Sequence, residues 1–173
     1  VGLIVTGHMY VLEDWKCSPR QTGAWHNDHV PGLRRLATVC RDNGTRAIAQ
    51  INAGGRRPQD LSFRECEATA DAFAESALRT ARAGFDGVQI HAAHGYLISG
   101  FLTPSENRRT DAYGGDAAGR RRLLIEVAAR VRDAIGPARA LHCKLGAVDG
   151  RDDSLPLAES VETAQALQDA GVE

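Results

Sequence analysis

Residues 89–115 read QIHAAHGYLISGFLTPSENRRTDAYGG. The stretch opens on the end of an apolar strand, Gly87-Val88-Gln89-Ile90, and sets His91, His94 and Tyr96 just beyond it. A strand that ends in two imidazoles and a phenol places hydrogen-bond donors beside a group able to deliver a proton. The run that follows, Asn107-Arg108-Arg109-Thr110-Asp111 with Tyr113-Gly114-Gly115, is too specific for a generic loop.

Working outward, the chain alternates short apolar runs with helical periodicity. Val1–Thr6 is a buried strand closed by Gly7. Asp28 is placed to cap a helix that tolerates Pro31 in its first turn, with Leu33, Leu36, Ala37 and Cys40 on one apolar face and Asn43-Gly44 as its stop. Ala47–Ile51 is the second strand. Ser62 and Glu65 have capping-box spacing ahead of a helix whose stripe is Ala70, Phe73, Ala74, Ala77, Leu78 and Ala81, ended by Gly84. Asp86–Ile90 is the third strand, and Leu124, Val127, Ala128, Val131 and Ile135 mark the third helix, closed by Gly136-Pro137. Ala140–Leu145 is the fourth strand, and Val161, Ala164 and Leu167 belong to a fourth helix that ends near Gly171.

Strict alternation of this kind implies α/β architecture with a parallel sheet and right-handed crossovers. No Gly-x-Gly-x-x-Gly follows any strand, which argues against a dinucleotide-type fold. The other parallel solution is the TIM (β/α)₈ barrel, which usually takes about 250 residues. The 173 residues carry about four βα units, so the chain reads as a partial barrel. Four strands leave two open edges, so the isolated span is expected to fold poorly or to pair with another copy or a missing half.

The bulk numbers exclude several classes. Lys and Arg number 21 against 22 Asp and Glu, a formal charge of −1, so nothing pulls the chain toward nucleic acid or an anionic membrane surface. No apolar run approaches the ~20 residues of a spanning helix, and no signal peptide is visible. Cys17, Cys40, Cys66 and Cys143 are scattered without a Cys-x-x-Cys pair, so reduced thiols in the cytoplasm are the expectation. The sequence is compatible with a homo-oligomer.

Barrel chemistry gathers at the C-terminal ends of strands. Here the first strand ends in Thr6, Gly7 and His8, the second in Gln50 and Asn52, the third in His91, His94 and Tyr96, and the fourth at Lys144. Four polar ends on one rim predict a site. The set offers amide, imidazole, phenol and ammonium groups and no carboxylate, which suits an electron-rich ligand.

These residues carry a resemblance to the Old Yellow Enzyme family of FMN-dependent oxidoreductases, nearest its NADH:flavin oxidoreductase and 2,4-dienoyl-CoA reductase-like branches. The resemblance implies hydride passing from NAD(P)H through FMN to an activated alkene or related small-molecule acceptor. It implies that His91 and His94 hydrogen-bond the substrate carbonyl and that Tyr96 protonates its α-carbon. It implies that Gln50 binds the flavin ring, that the backbone at Gly7 and His8 approaches the flavin edge, and that Lys144, often arginine in relatives, lies near the pyrimidine edge and stabilises the reduced anionic flavin. It also implies that residues 1–173 are one fragment of a single barrel domain, lacking the family's first strand and its last units, which hold the FMN phosphate. The iron–sulfur cysteines of the dienoyl-CoA reductase branch would lie beyond Glu173. The chain departs from the family where Gln50-Ile51-Asn52-Ala53-Gly54-Gly55-Arg56 has alanine in place of the usual histidine.

Other readings compete. His8, His91 and His94 resemble a three-histidine zinc set of a barrel hydrolase, and a non-catalytic fragment is the third alternative. Gln50 alone is equally a glutamine satisfying a neighbouring backbone group. Lys144 would be costly to bury unpaired, unless it snorkels to the rim. Arg108, Arg109 and Asp111 are expected to form a structural ion-pair loop, Arg120-Arg121-Arg122 a solvated first helical turn, and Trp15 and Trp25 to pack under the long loop.

Overall fold

The computed structural model describes residues 1–148 and 155–173. Among them the chain runs β1 (Leu3–Val5), β2 (Met9–Tyr10), α1 (Val30–Asp42), β3 (Arg46–Asn52), α2 (Phe63–Ala83), β4 (Gly87–Ala92), α3 (Leu97–Leu102), α4 (Ala117–Ile135), β5 (Ala140–Leu145) and α5 (Leu157–Asp169). The strands form one parallel sheet in the order β1-β3-β4-β5, with β2 also paired to β3. This is the half-barrel that the alternating pattern predicts.

The expected first strand ends before Gly7, as β1, and a second short strand that the sequence did not announce follows it. Leu3–Val5 pairs with Arg46–Ile48, and Met9–Tyr10 pairs with Ile51–Asn52, so β1 and β2 follow the same neighbour with Thr6, Gly7 and His8 between them. Across the break Thr6 Oγ1 accepts the Gln50 backbone N–H at 3.1 Å. A side chain thus satisfies a donor that the ladder leaves unpaired. The outer strand β1 is exposed along its whole length.

One face of the sheet packs under helices. Ala49, Ile51, Val88, Ile90 and Leu141 are buried in one cluster with Phe73, Ala77, Leu124, Val127 and Val131, and α2 and α4 pack on each other. α2 forms because its sequence supplies both ends and the stripe between them. Ser62 Oγ accepts from the Glu65 N–H at 3.3 Å while Glu65 Oε2 accepts from the Ser62 N–H at 2.7 Å. Gly84 closes the helix at a φ of 99°, a left-handed conformation that only glycine adopts without cost.

Several local expectations are corrected. The α1 face buries Leu33 and Ala37 while Leu36 is exposed, and Asp28 does not cap it: a 3₁₀ turn at Asn27–His29 precedes the helix, capped by the His26 ring. α5 buries Ser160, Thr163 and Leu167, so Val161 and Ala164 lie on its outer side. Arg120 is not solvated. It is buried, donating to Gly115 O at 2.7 Å and pairing with Glu159 of α5 at 2.5 Å, which ties α4 to α5. Arg109 and Asp111 form the expected ion pair, and Arg109 also donates to the carbonyls of Pro58 and Leu61. Trp15 is buried with the Arg56 guanidinium 5.5 Å from its ring, and Trp25 packs on His26 and His29.

The reciprocal cap of α2 makes a direct test. Ser62→Ala is expected to lower unfolding free energy by about 1 kcal/mol, read as a reduced urea midpoint with an unchanged slope; a shift smaller than experimental error would show that Glu65 alone suffices.

Candidate active site

Parallel pairing sets the site in register. Gln50 lies beside Gln89 and Gln89 beside His142, and two residues on His91 lies beside Lys144. Side chains alternate across a strand, so Gln89 and His91 point to the same face, opposite the buried Val88 and Ile90. Beyond β4 the chain turns sharply at His94 and Gly95, whose φ values are 63° and 74°. A positive φ is uncommon for a residue with a side chain. The turn exposes His94 and brings Tyr96 back over the strand ends as the first residue before α3.

The result is an open cleft of about 620 Å³ lined by Val5, Thr6, Gly7, His8, Gln50, Gln89, His91, His94, Tyr96 and Lys144. All seven residues singled out from the sequence meet there, and none of the described residues that line it is a carboxylate. Lys144 is exposed to the cleft rather than buried, and it makes no ion pair with a described residue. A second cleft of about 560 Å³ opens on the other side of Tyr96, lined by Arg56, Arg57, Arg108, Gln59 and Glu106 among others.

The imidazoles and the phenol are clustered. The His8 ring lies 5.5 Å from that of His91 and 4.9 Å from that of Tyr96, and the His91 ring lies 5.2 Å from His94 and 5.0 Å from Tyr96. Tyr96 Oη and His8 Nε2 are 3.2 Å apart. His91 Nδ1 accepts the Ala93 N–H at 3.3 Å, so in the neutral ring the proton resides on Nε2. Burial pushes the His91 imidazolium down to about 4, helped by His8, His94 and Lys144 nearby. His91 is therefore a neutral donor at physiological pH. Burial also lowers His8, again helped by His94 and Lys144.

Gln50 Nε2 donates to Gln89 Oε1 at 2.5 Å. This leaves Gln50 Oε1 and Gln89 Nε2, an acceptor and a donor side by side, without a partner among the described residues. Three members of the site were absent from the sequence reading of roles: Gln89, Asn52 and Gln21, the last two reaching His8 Nδ1. Gln89 carried a signal, a polar residue inside an otherwise apolar strand with the parity of His91. Gln21 lies in a loop and carried none. No group of three His, Cys, Asp or Glu among the described residues is placed to hold a metal ion, so their geometry lends the zinc reading no support. No helix among the described residues is long and apolar enough to cross a membrane.

The profile of the NADH:flavin oxidoreductase / NADH oxidase family matches residues 57–173. An NADPH dehydrogenase from Geobacillus sp. (strain WCH70) is 33% identical over 195 aligned positions, which take in 100% of this chain and 56% of the relative. The old yellow enzyme homologue from Zymomonas mobilis superposes with a TM-score of 0.89 at 27% identity, over 98% of this chain and 58% of that one. A 2-naphthoyl-CoA reductase in complex with 2-naphthoyl-CoA superposes with a TM-score of 0.92 at 25% identity, over 97% of this chain and 31% of that one. The chain thus spans about half the length of the curated relative it matches.

The buried imidazole gives a pH dependence of known sign. Above the unfolded value of about 6.5 both states hold His91 neutral. As the pH falls below it the unfolded chain takes up a proton that the folded one refuses until about 4. Stability is therefore lost between these two values, by about 3 kcal/mol at most. His91→Gln is expected to flatten this fall, measured as urea midpoints from pH 7 to 4; parallel curves for the two proteins would place the titration elsewhere.

Proposed function

The chain belongs to the NADH:flavin oxidoreductase / NADH oxidase family, and on that premise we propose that it forms part of an FMN-dependent ene-reductase whose (β/α)₈ barrel domain extends past these residues. The carrying observation is one open cleft that gathers Gln50, Gln89, His91, His94, Tyr96 and Lys144, with no carboxylate among the described residues that line it.

The donor set fits a flavin. The free Gln50 Oε1 and Gln89 Nε2 match the alternating N–H and C=O edge of a dioxopyrimidine, and the Lys144 ammonium suits an oxygen or nitrogen that gains negative charge. The backbone of Gly7 and His8 borders the same cleft. Bound FMN supplies the hydride relay between NAD(P)H and the acceptor.

The remaining work falls to this chain. His91, neutral with its proton on Nε2, and His94 donate hydrogen bonds to an acceptor's carbonyl oxygen, polarising the conjugated alkene. The interaction strengthens as charge develops on that oxygen, which is what accelerates a reaction. Tyr96 Oη delivers the proton to the α-carbon as hydride reaches the β-carbon. The arginine-lined cleft on the other side of Tyr96 gives an acceptor with an anionic tail a place to lie, in keeping with the CoA thioester bound by one structural relative.

Two outcomes are expected in the full-length protein. Tyr96→Phe slows flavin reoxidation by 2-cyclohexenone about 10²–10⁴-fold and spares flavin reduction by the nicotinamide, as followed by stopped-flow absorbance. An unchanged reoxidation rate would remove Tyr96 as the acid. Lys144→Met lowers the midpoint potential of bound FMN, because a cation favours the charge added on reduction more than the neutral ring. A redox titration that finds the same potential, with FMN still bound, would mean that Lys144 points away from the ring.

A further inference from the structure

His8 sits in the break between β1 and β2, held on both sides of its ring. The Cys17 backbone N–H donates to Gln21 Oε1 at 2.5 Å, which orients that amide with its nitrogen turned toward His8. Gln21 Nε2 then donates to the His8 carbonyl at 3.0 Å and lies 2.9 Å from His8 Nδ1. Asn52 Nδ2 approaches the same Nδ1 at 3.2 Å. An amide NH₂ only donates, so Nδ1 is the acceptor and the ring proton resides on Nε2. Nε2 faces Tyr96 Oη at 3.2 Å. The hydrogen bond therefore runs from the imidazole to the phenol oxygen, and the phenol keeps its own hydrogen for another acceptor. The opposite tautomer would draw the phenol hydrogen onto His8 and leave Tyr96 nothing to give.

We infer that His8 is a positioning residue for proton delivery, with Gln21 and Asn52 selecting the tautomer that leaves the Tyr96 hydrogen free to enter the cleft. The inference rests on the ene-reductase reading of the site. In the step, the Tyr96 O–H bond breaks and a C–H bond forms at the substrate α-carbon. The oxygen keeps the electron pair, and solvent later restores the proton. As charge builds on that oxygen, the His8 Nε2–H contact becomes a charge-assisted hydrogen bond, stronger than the neutral one it replaces. A contact that strengthens on the way to the transition state raises the rate of that step.

The test uses the full-length, FMN-loaded protein and follows both half-reactions by stopped flow, with NADPH as donor and 2-cyclohexenone as acceptor. His8→Leu is expected to slow reoxidation by the enone about 10–100-fold, the range for losing one charge-assisted hydrogen bond, and to leave flavin reduction unchanged. His8→Gln, which retains an N–H donor, restores part of the loss. Gln21→Met, behind His8 and not itself among the cleft-lining residues, also slows reoxidation, by less. In a Tyr96→Phe background His8→Leu adds nothing, because the two residues act as a unit. Equal slowing with and without the Tyr96 hydroxyl, or equal slowing of both half-reactions, would make His8 a structural or flavin-contact residue and overturn the inference. If Tyr96→Phe slows reoxidation and His8→Leu does not, the inference fails while the function stands. If the wild-type protein is not reoxidised by the enone, both fail together.

Discussion

Backbone pairing between β4 and β5 holds Gly87 opposite Ala140 and His91 opposite Lys144. The close approach at the start of this pair depends on the absence of a side chain: a Cβ on Gly87 would lie 2.4 Å from the Ala140 carbonyl oxygen and 2.7 Å from Ile48 Cδ1. Once the register is set there, the period of two carries it to the other end of the strands. A slip of one residue would send Gln89 and His91 under the helices and turn Val88 and Ile90 into the cleft. The site therefore inherits its chemistry from a packing decision made at the opposite rim.

The strands and long helices were legible because their signals are local and redundant. β5 was bounded at Ala140–Leu145 from sequence, and the α2 cap was read from Ser62 and Glu65. The meeting of the seven candidate residues in one cleft was legible for a different reason. Parallel α/β sheets concentrate chemistry at one end of their strands, so four strand ends could be read as one place before any contact was known.

What escaped was determined by partners distant in sequence. Arg120 looks like any residue of a charged run, and only Glu159 and the Gly115 carbonyl explain its burial. The end of β1 was marked by Gly7, but β2 beyond it is two residues long, too short to carry a pattern of its own. Gln21 is one polar loop residue among many until the Cys17 N–H orients it. The inner face of α5 was not read, since Ser160 and Thr163, the residues turned inward, satisfy their hydroxyls on backbone carbonyls and are buried without being apolar.

The left-handed turn at His94 and Gly95 also bears on how a ligand meets this surface. A residue with a side chain, such as His94, rarely adopts the positive φ that this turn requires. The turn sets the direction from which the His94 imidazole and the Tyr96 phenol leave the backbone. A β-branched residue in place of His94 would disturb that turn through its backbone alone, so affinity could fall at this position even for a ligand that never touches the imidazole.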